Sequence, residues 1–283
     1  MNKKQKRQHS GSNIKKQFVL LILLLGFGFL LVIAVTRYFT DKPNHFEFTE
    51  TADNVPILKL EIPAKMEGRT EQIIEHLGYT VSYNQDWKIA NWVAYELTRE
   101  EVEGITPRGR HFVPDPDVLE KSAIDDDYRN SGWDRGHLAP AADMKWSVQA
   151  MNESFYFSNI CPQNHNLNGG DWRILEEQVR NWASETRNLY VVCGPVVSHN
   201  PPTIGNNRVV IPTAFYKVLL KYELNTWSAI GFLFDNKSGH KPLHTYAKSV
   251  EEIQKITQID FFPELPDEIE QKIEKQFDWN LWR

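Results

Sequence analysis

One stretch, residues 170–186, constrains the fold more than any other because its apolar residues repeat with the period of a helix. The residues that recur every three or four positions are Trp172, Leu175, Val179 and Trp182. That spacing predicts an amphipathic helix with one buried face. Strand-like segments are grouped before and after this helix instead of alternating regularly with helices, which predicts an α+β domain.

Four other segments predict regular structure around that helix. Residues 79–83 and 92–97 are rich in aromatic and β-branched side chains and predict two strands around a turn at residues 84–86. Residues 155–160 predict a further strand. Residues 143–154 predict a helix that precedes it.

The apolar run at residues 18–35 contains 18 residues and no charged side chain. At about 1.5 Å per residue, a helix of that length spans roughly 27 Å, close to the hydrocarbon core of a bilayer. The length is more typical of an uncleaved anchor than of the alternative, a signal peptide cut near residues 32–34. Because basic residues precede the run, the positive-inside rule leaves the N-terminus in the cytoplasm and sends the rest of the chain outside.

The domain organisation follows from that run. We predict a basic cytoplasmic tail at residues 1–17, a transmembrane signal anchor at 18–36, a polar tether at 37–57 and a folded domain at 58–283. Residues 1–40 hold seven Lys and Arg and no acid, so 25 basic and 37 acidic residues remain after them. This acidic balance argues against a protein that holds nucleic acid by bulk charge, and it suits an enzyme that contacts phosphate locally.

A tetrapeptide supplies a carboxylate, a fixed cation, a flexible link and a titratable base in immediate succession. Its residues are Asp134, Arg135, Gly136 and His137. The arginine is suited to neutralising a phosphate group while a neutral imidazole deprotonates water. Together with oxygen ligands for a divalent metal ion, this set is typical of phosphodiester cleavage.

Asn168 and Glu176 are the candidate metal ligands. Asn168 precedes the predicted helix, where an asparagine is either a helix cap or a ligand. Glu176 borders the apolar face, where a carboxylate either reaches water at the edge or is paired or linked to a metal. If one helix included both residues, about 12 Å would separate them along its axis. We therefore expect Asn168 to bind the metal directly and Glu176 to act through water, as Mg²⁺ prefers.

The segments around these residues resemble those of the DNA/RNA non-specific endonucleases in order and in spacing. The resemblance implies a ββα-metal (His-Me finger) nuclease fold, with a central, mostly antiparallel sheet flanked by helices. It extends over roughly residues 60–265. The matching blocks are residues 92–97, 110–112, 133–140, 158–163, 167–168, 172, 175–176 and 190–195.

The resemblance also implies the roles of the metal site and of the base. His137 would be the general base that activates water. Asn168 would be the direct protein ligand of Mg²⁺, for which Mn²⁺ would substitute, and Glu176 would hold metal-bound water. Asp134 would support the loop and the metal-bound waters without binding the metal itself.

For the substrate, the resemblance implies three contacts. Arg135 and Arg110 would contact the scissile phosphate and the negative charge that develops on it. Asn159 would orient the attacking water or the substrate near His137. These groups read no base, so the expected cleavage tolerates any sequence and either sugar.

The implied function is a membrane-tethered, Mg²⁺-dependent endonuclease that hydrolyses phosphodiester bonds of DNA and, we expect, RNA outside the cytoplasm. One alternative is a phosphodiesterase that acts on another substrate with the same fold. A second alternative is a non-catalytic surface protein that binds DNA for uptake. The presence of His137, Asn168 and Glu176 together favours the enzyme. The sequence leaves open whether the chain is a monomer or a homodimer.

The chain has two cysteines, Cys161 and Cys193. In the fold that the resemblance implies, we expect the strands that carry them to be neighbours. An oxidising compartment would permit a disulfide between the two. The alternative is a pair of buried thiols that pack as small apolar side chains.

Overall fold

The computed structural model describes residues 59–186 and 188–283. The predicted tail, anchor and tether lie outside the described residues. Within the described part, no helix is both long enough and apolar enough to cross a bilayer.

An antiparallel seven-stranded sheet forms the centre of the described chain. Its strands are β1 (Gln72–Glu75), β2 (Thr80–Asn84), β3 (Ile89–Thr98), β6 (Asn188–Val196), β9 (Ala214–Glu223), β10 (Thr226–Asp235) and β11 (Ala247–Lys248), in the order β1-β2-β3-β6-β9-β10-β11. Each neighbouring pair is antiparallel. The predicted antiparallel sheet and the predicted pair of strands on either side of residues 84–86 are therefore confirmed.

Two short ribbons accompany this sheet. The first pairs β4 (Asp134–His137) with β5 (Ile160–Gln163), and the second pairs β7 (Thr203–Ile204) with β8 (Val209–Val210). The α-helices of the described part are α1 (Arg99–Val102), α2 (Asp125–Tyr128), α3 (Val148–Glu153), α4 (His165–Leu167), α5 (Arg173–Glu185), α6 (Val250–Thr257) and α7 (Asp267–Lys275). The chain thus runs from β4 through β5 into α4 and α5, the order of a ββα unit.

Alternate side chains of the sheet enter two apolar cores, one on each face. On β9, Phe215 and Leu219 enter the core that contains Leu175 of α5. The intervening Val218 enters the second core, which contains Ile253 of α6. Helix α5 therefore lies on one face of the sheet and α6 on the other, and the β4–β5 ribbon shares the α5 layer.

The helix predicted at residues 170–186 is confirmed, although its α-helical part begins at Arg173. All four residues of its predicted apolar face are buried. Asn168–Trp172 forms a π-helical turn just before it, in which Gly170 leaves helical geometry at φ −110° and ψ −113°. A π-helical turn inserted before a helix is frequently found at functional sites.

Two predicted elements differ from the structure. The strand predicted at residues 155–160 is wrong, because Phe157–Asn159 forms a 3₁₀ turn and β5 begins only at Ile160. The aromatic residues that suggested a strand, Phe155 and Phe157, are buried, and burial alone does not select extended backbone. The helix predicted from residue 143 begins at Val148, because the Ser147 side chain accepts hydrogen bonds from two backbone amides and caps it there.

The cysteine strands are not neighbours, which corrects the expectation drawn from the resemblance. Cys161 lies on β5, whose partner is β4, whereas Cys193 lies on β6 between β3 and β9. Both are buried free thiols, so the structure contains the second alternative and not the disulfide. Burial raises the pKa of Cys193 to about 11, and its Sγ donates to the carbonyl oxygen of Leu138 at 3.2 Å.

Candidate active site

The β4–β5 ribbon places His137 at the end of a strand, opposite Ile160. Within β4, Gly136 is required by the close approach of the two strands. A Cβ at that position would lie 2.3 Å from the side-chain oxygen of Gln163. A larger residue between the arginine and the histidine would therefore clash with Gln163 on the neighbouring strand.

His137 occupies an aromatic pocket and exposes 8% of its surface. Its ring centroid lies 5.0 Å from that of Phe155, edge-on, and 5.4 Å from that of Phe112. Burial, with a smaller effect of the positive charge on Arg108, lowers the pKa of His137 from 6.5 to about 3. The imidazole is therefore neutral near pH 7. Its Nε2 has no hydrogen-bond partner among the described residues, which suits a general base.

Asn159 holds the chain just beyond His137. Its Oδ1 accepts from the amide of Ala139 at 2.9 Å, and its Nδ2 donates to the carbonyls of Ala139 and Ser154. The side chain is fully buried. Both ends of the Asn159 amide are thus engaged by backbone groups next to His137, and its role toward water or substrate stays a prediction.

Asp134, at the start of β4, joins the predicted ligand. Its carboxylate accepts a hydrogen bond from Nδ2 of Asn168 at 2.9 Å and contacts Nδ1 of the exposed His165 at 3.0 Å. Because the amide nitrogen of Asn168 is engaged in this way, its carbonyl oxygen is the atom left to bind a cation. The bond favours the ligand alternative, and His165, three residues earlier, is a neighbour that the sequence did not single out.

Glu176 lies on α5, which directly follows the π-helical turn that Asn168 begins. It is half-buried, and burial raises the pKa of its carboxyl from 4.5 to about 7. The buried Lys217 ammonium gives the strongest opposing effect, and Arg180 and Arg108 also lower this pKa, while Asp143 raises it. Glu176 is therefore a carboxylate at the edge of ionisation, whose charge depends on the cations around it.

A buried charged network lies behind Glu176. Asp143 is fully buried and accepts hydrogen bonds from Nη1 of Arg180 and from the hydroxyl of Tyr95, both at 2.8 Å. The desolvated carboxylate is thus paired on both oxygens, as a buried charge requires. The network anchors α5 to β3 beneath the face that carries Glu176.

Arg135 points along the ribbon toward α2. Its Nη2 forms an ion pair with Asp125 at 2.8 Å and donates to the Asp125 carbonyl at 2.9 Å. The guanidinium lies over the rings of Tyr128 and Phe112, with its carbon 5.5 and 5.8 Å from their centroids. Phe112 also contacts His137, so Arg135 shares the aromatic wall of the base while Asp125 holds part of its donor set.

Arg108 lies beside the predicted Arg110 in the same cleft and was not singled out from the sequence. Its guanidinium carbon lies 5.4 Å from the centroid of Phe155, the ring that meets His137, and its charge reaches both His137 and Glu176. Both arginines are exposed and line a cleft of about 480 Å³. No sequence signal distinguished Arg108 from Arg110. In the structure, a Cβ at Gly109 between them would lie 2.8 Å from Phe155.

Another group of side chains has metal-ligand geometry outside the predicted site. Ligand atoms of His76, Asp115 and Asp117 lie within 4.8 Å of one another. One Asp115 oxygen already contacts His76 Nε2 at 2.9 Å and accepts from the Ser158 hydroxyl at 2.5 Å. The carboxylate is therefore satisfied by protein groups, and Asn168 with Asp134 remains the better place for a catalytic cation.

The comparisons with known proteins agree with the geometry of the site. The family model described as DNA/RNA non-specific endonuclease matches residues 61–268. The chain is 35% identical over 210 residues to the mitochondrial nuclease EXOG of Xenopus laevis, which covers 68% of the chain and 58% of that nuclease. It is 31% identical to mitochondrial endonuclease G of Homo sapiens, covering 69% of the chain and 70% of that protein.

A fungal relative and a solved structure extend the likeness. Nuclease C1 of Cunninghamella echinulata var. echinulata is 32% identical to the chain. The alignment covers 70% of the chain and 85% of that nuclease. A chain of the crystal structure of the EndoG/EndoGI complex superposes with a TM-score of 0.68 at 26% identity. That match covers 75% of this chain and 92% of the solved one. The likeness therefore includes the sheet and the site together.

Proposed function

The chain belongs to the DNA/RNA non-specific endonuclease family, and from that premise we propose that it hydrolyses phosphodiester bonds in DNA and RNA. The observation that carries the proposal is the state of His137, whose low pKa keeps it neutral near pH 7 and whose Nε2 finds no partner in the part of the chain that the structure describes. It ends the same four-residue strand that Asp134 begins, and Asp134 holds Asn168. A base and an oxygen ligand are thus attached to one rigid ribbon.

We assign the proton-transfer step to His137. Its neutral imidazole accepts a proton from the water that attacks the phosphorus atom. Arg108, and Arg135 where it extends beyond its contact with Asp125, stabilise the negative charge that grows on the phosphate oxygens. None of these groups reads a base, which supports cleavage of both polymers without sequence preference.

The donor set around Asn168 fits a hard divalent cation. Amide and carboxylate oxygens are the ligands that Mg²⁺ and Mn²⁺ accept, and Glu176 is on the helix that follows the Asn168 turn. In this proposal Asn168 would hold the ion directly, Glu176 would hold it through water, and Asp134 orients Asn168. A bound ion supplies Lewis-acid stabilisation of the leaving oxygen.

We also propose that the enzyme is tethered to the membrane and works outside the cytoplasm. The support is the charge-free run at residues 18–35 and the basic residues before it. The domain would then be periplasmic or extracellular. A protease added to intact cells, or to spheroplasts in the periplasmic case, should remove the domain and leave a membrane-embedded N-terminal fragment. Full protection of the domain in both preparations, or recovery of the protein outside the membrane fraction, would contradict this topology.

Digestion of plasmid DNA and of RNA by the purified full chain tests the proposed activity. Three parallel reactions are needed: with Mg²⁺, with chelator, and with the His137→Ala variant and Mg²⁺. Degradation of both polymers only in the first reaction is the expected result. A folded protein that cleaves small diesters alone would support the phosphodiesterase alternative. Tight DNA binding without any cleavage would support the non-catalytic one.

A further inference from the structure

Lys217 is a buried lysine that the reaction as described does not use. It lies in the middle of β9 and exposes none of its surface, which is rare for a lysine. On this strand Phe215 and Leu219 enter the core that also contains α5. Since side chains of a strand alternate between its faces, Lys217 points into the same layer as the active site.

The contacts of the Lys217 ammonium are unusual for a buried cation. Its Nζ donates to the carbonyl oxygen of Leu138 at 3.4 Å. It lies 4.9 Å from the ring centroid of Trp172 and 5.9 Å from that of Tyr95. A cation this desolvated is costly unless it is compensated. Besides the carbonyl and the two ring faces, its partners are the thiol of Cys193 and, through charge, the carboxyl of Glu176.

These partners belong to the catalytic machinery. Leu138 directly follows His137, and Trp172 ends the turn that Asn168 begins. The indole of Trp172 donates to the carbonyl oxygen of His137 at 3.4 Å. The same Leu138 carbonyl accepts from Cys193, which is the cross-strand neighbour of Lys217. The backbone carbonyl of His137 therefore accepts a hydrogen bond from Trp172. The carbonyl of Leu138 accepts from Lys217 and Cys193.

We propose that Lys217 is a positioning residue for the hydrolytic reaction, whose ammonium group holds the His137–Leu138 backbone in register with the turn that carries Asn168. This inference rests on the proposed function. Because Lys217 is fully buried, it touches no substrate. Its loss therefore lowers kcat through a displaced base and leaves KM for nucleic acid nearly unchanged.

The chain offers a matched control four residues along the same strand. Lys221 faces the same layer, exposes 4% of its surface and stacks on Trp282 at 4.8 Å. Its Nζ pairs with Glu223 at 2.8 Å. Lys221 thus reproduces the burial and ring contact of Lys217, and its contacts within residues 59–186 and 188–283 are with Glu223 and Trp282 and not with the His137 strand.

Lys217→Met and Lys221→Met test the proposal in the full chain, with plasmid DNA and Mg²⁺. We expect Lys217→Met to lose roughly tenfold to a hundredfold in kcat with KM within about twofold, the scale of an ångström-sized misplacement. Lys221→Met should retain wild-type kcat even if its melting temperature falls by as much as that of Lys217→Met. Equal kcat values for the two variants, or a loss in Lys217→Met that lies in KM, would overturn the proposal.

A second variant and a second readout keep the test decisive. Lys217→Gln removes the charge but keeps a donor for the Leu138 carbonyl, so it should recover part of the lost kcat and covers the case in which Lys217→Met does not fold. Crystal structures of the variants should show His137 displaced relative to Asn168 only when Lys217 is changed. This separation is independent of activity: an inactive wild-type protein would refute the proposed function, and an unmoved His137 would refute the positioning role.

Discussion

The two sides of the candidate site have opposite environments, one apolar and buried and the other polar and open to solvent. The side of His137 is dry: Phe112 and Phe155 enclose the imidazole, and burial keeps it neutral. The side of Asn168 is polar and reaches solvent, since its partner Asp134 also contacts the exposed His165. Burial keeps an imidazole in its neutral form, whereas Mg²⁺ keeps several of its waters.

One short strand, β4, connects the apolar and the polar side of the site. β4 begins at Asp134 in the polar region and ends at His137 in the aromatic pocket. Four residues of extended chain cover roughly 10 Å between the first and last Cα, at about 3.3 Å per residue. The environment therefore changes along a rigid element, and the two functions are expected to be separable by mutation.

Removal of the base gives the largest expected effect. His137→Ala should lower kcat about 10²- to 10⁴-fold, the range for loss of a general base. Supercoiled plasmid digestion at saturating Mg²⁺ measures it, with circular dichroism as the control for folding. Cleavage within tenfold of the wild-type rate would mean that the dry side of the site does not carry the base.

Removal of the ligand tests the polar side. Asn168→Ala should lower activity by about a hundredfold and raise the Mg²⁺ concentration for half-maximal rate, because even indirect metal partners are worth roughly 10- to 100-fold. A Mg²⁺ titration of the cleavage rate measures both. Wild-type metal dependence in this variant would remove Asn168 from the ligand set.

The buried imidazole should also appear in the stability of the protein. The folded-state pKa of His137 is lowered to about 3, so below about pH 6.5 the unfolded chain binds a proton that the folded chain refuses. The contribution of this pKa shift to the free energy of unfolding is then fully present above about pH 6.5, and it is lost as pH falls toward 3. Between pH 7 and 5 the wild type should lose roughly 2 kcal/mol more than His137→Gln, measured by urea unfolding. Equal losses would show that the imidazole is solvated.

The smallest expected effect separates the two arginines of the cleft. Arg108→Ala should lower kcat/KM about tenfold, the equivalent of one modest charge contact, and Arg110→Ala by no more than about twofold. Steady-state cleavage of a short labelled duplex at fixed ionic strength measures both. The reverse order would restore Arg110 to the role that sequence comparison suggested.

The sequence predicted what depends on local periodicity. The buried face of α5 follows from apolar residues at helical spacing, because burial on one side is what selects that pattern. The tetrapeptide at residues 134–137 was singled out because its chemistry lies within four consecutive residues. The antiparallel sheet followed from the resemblance and from strand-like segments.

What the sequence missed depends on contacts between distant residues. The bond between Asp134 and Asn168 joins residues 34 positions apart, and only the ribbon and the π-helical turn bring them together. The saturation of Asn159 by backbone and the separation of Cys161 from Cys193 depend on strand order. Buried Lys217 is not distinguishable in sequence from a lysine at the surface.

The most direct test of the separation between the two sides is Mg²⁺ binding by calorimetry to the wild type, to His137→Ala and to Asn168→Ala. The account predicts that His137→Ala binds Mg²⁺ within about twofold of the wild-type affinity although it does not cleave, while Asn168→Ala loses binding and cleavage together. Loss of Mg²⁺ affinity in His137→Ala, or wild-type affinity in Asn168→Ala, would contradict the division of the site into a dry base and a hydrated metal.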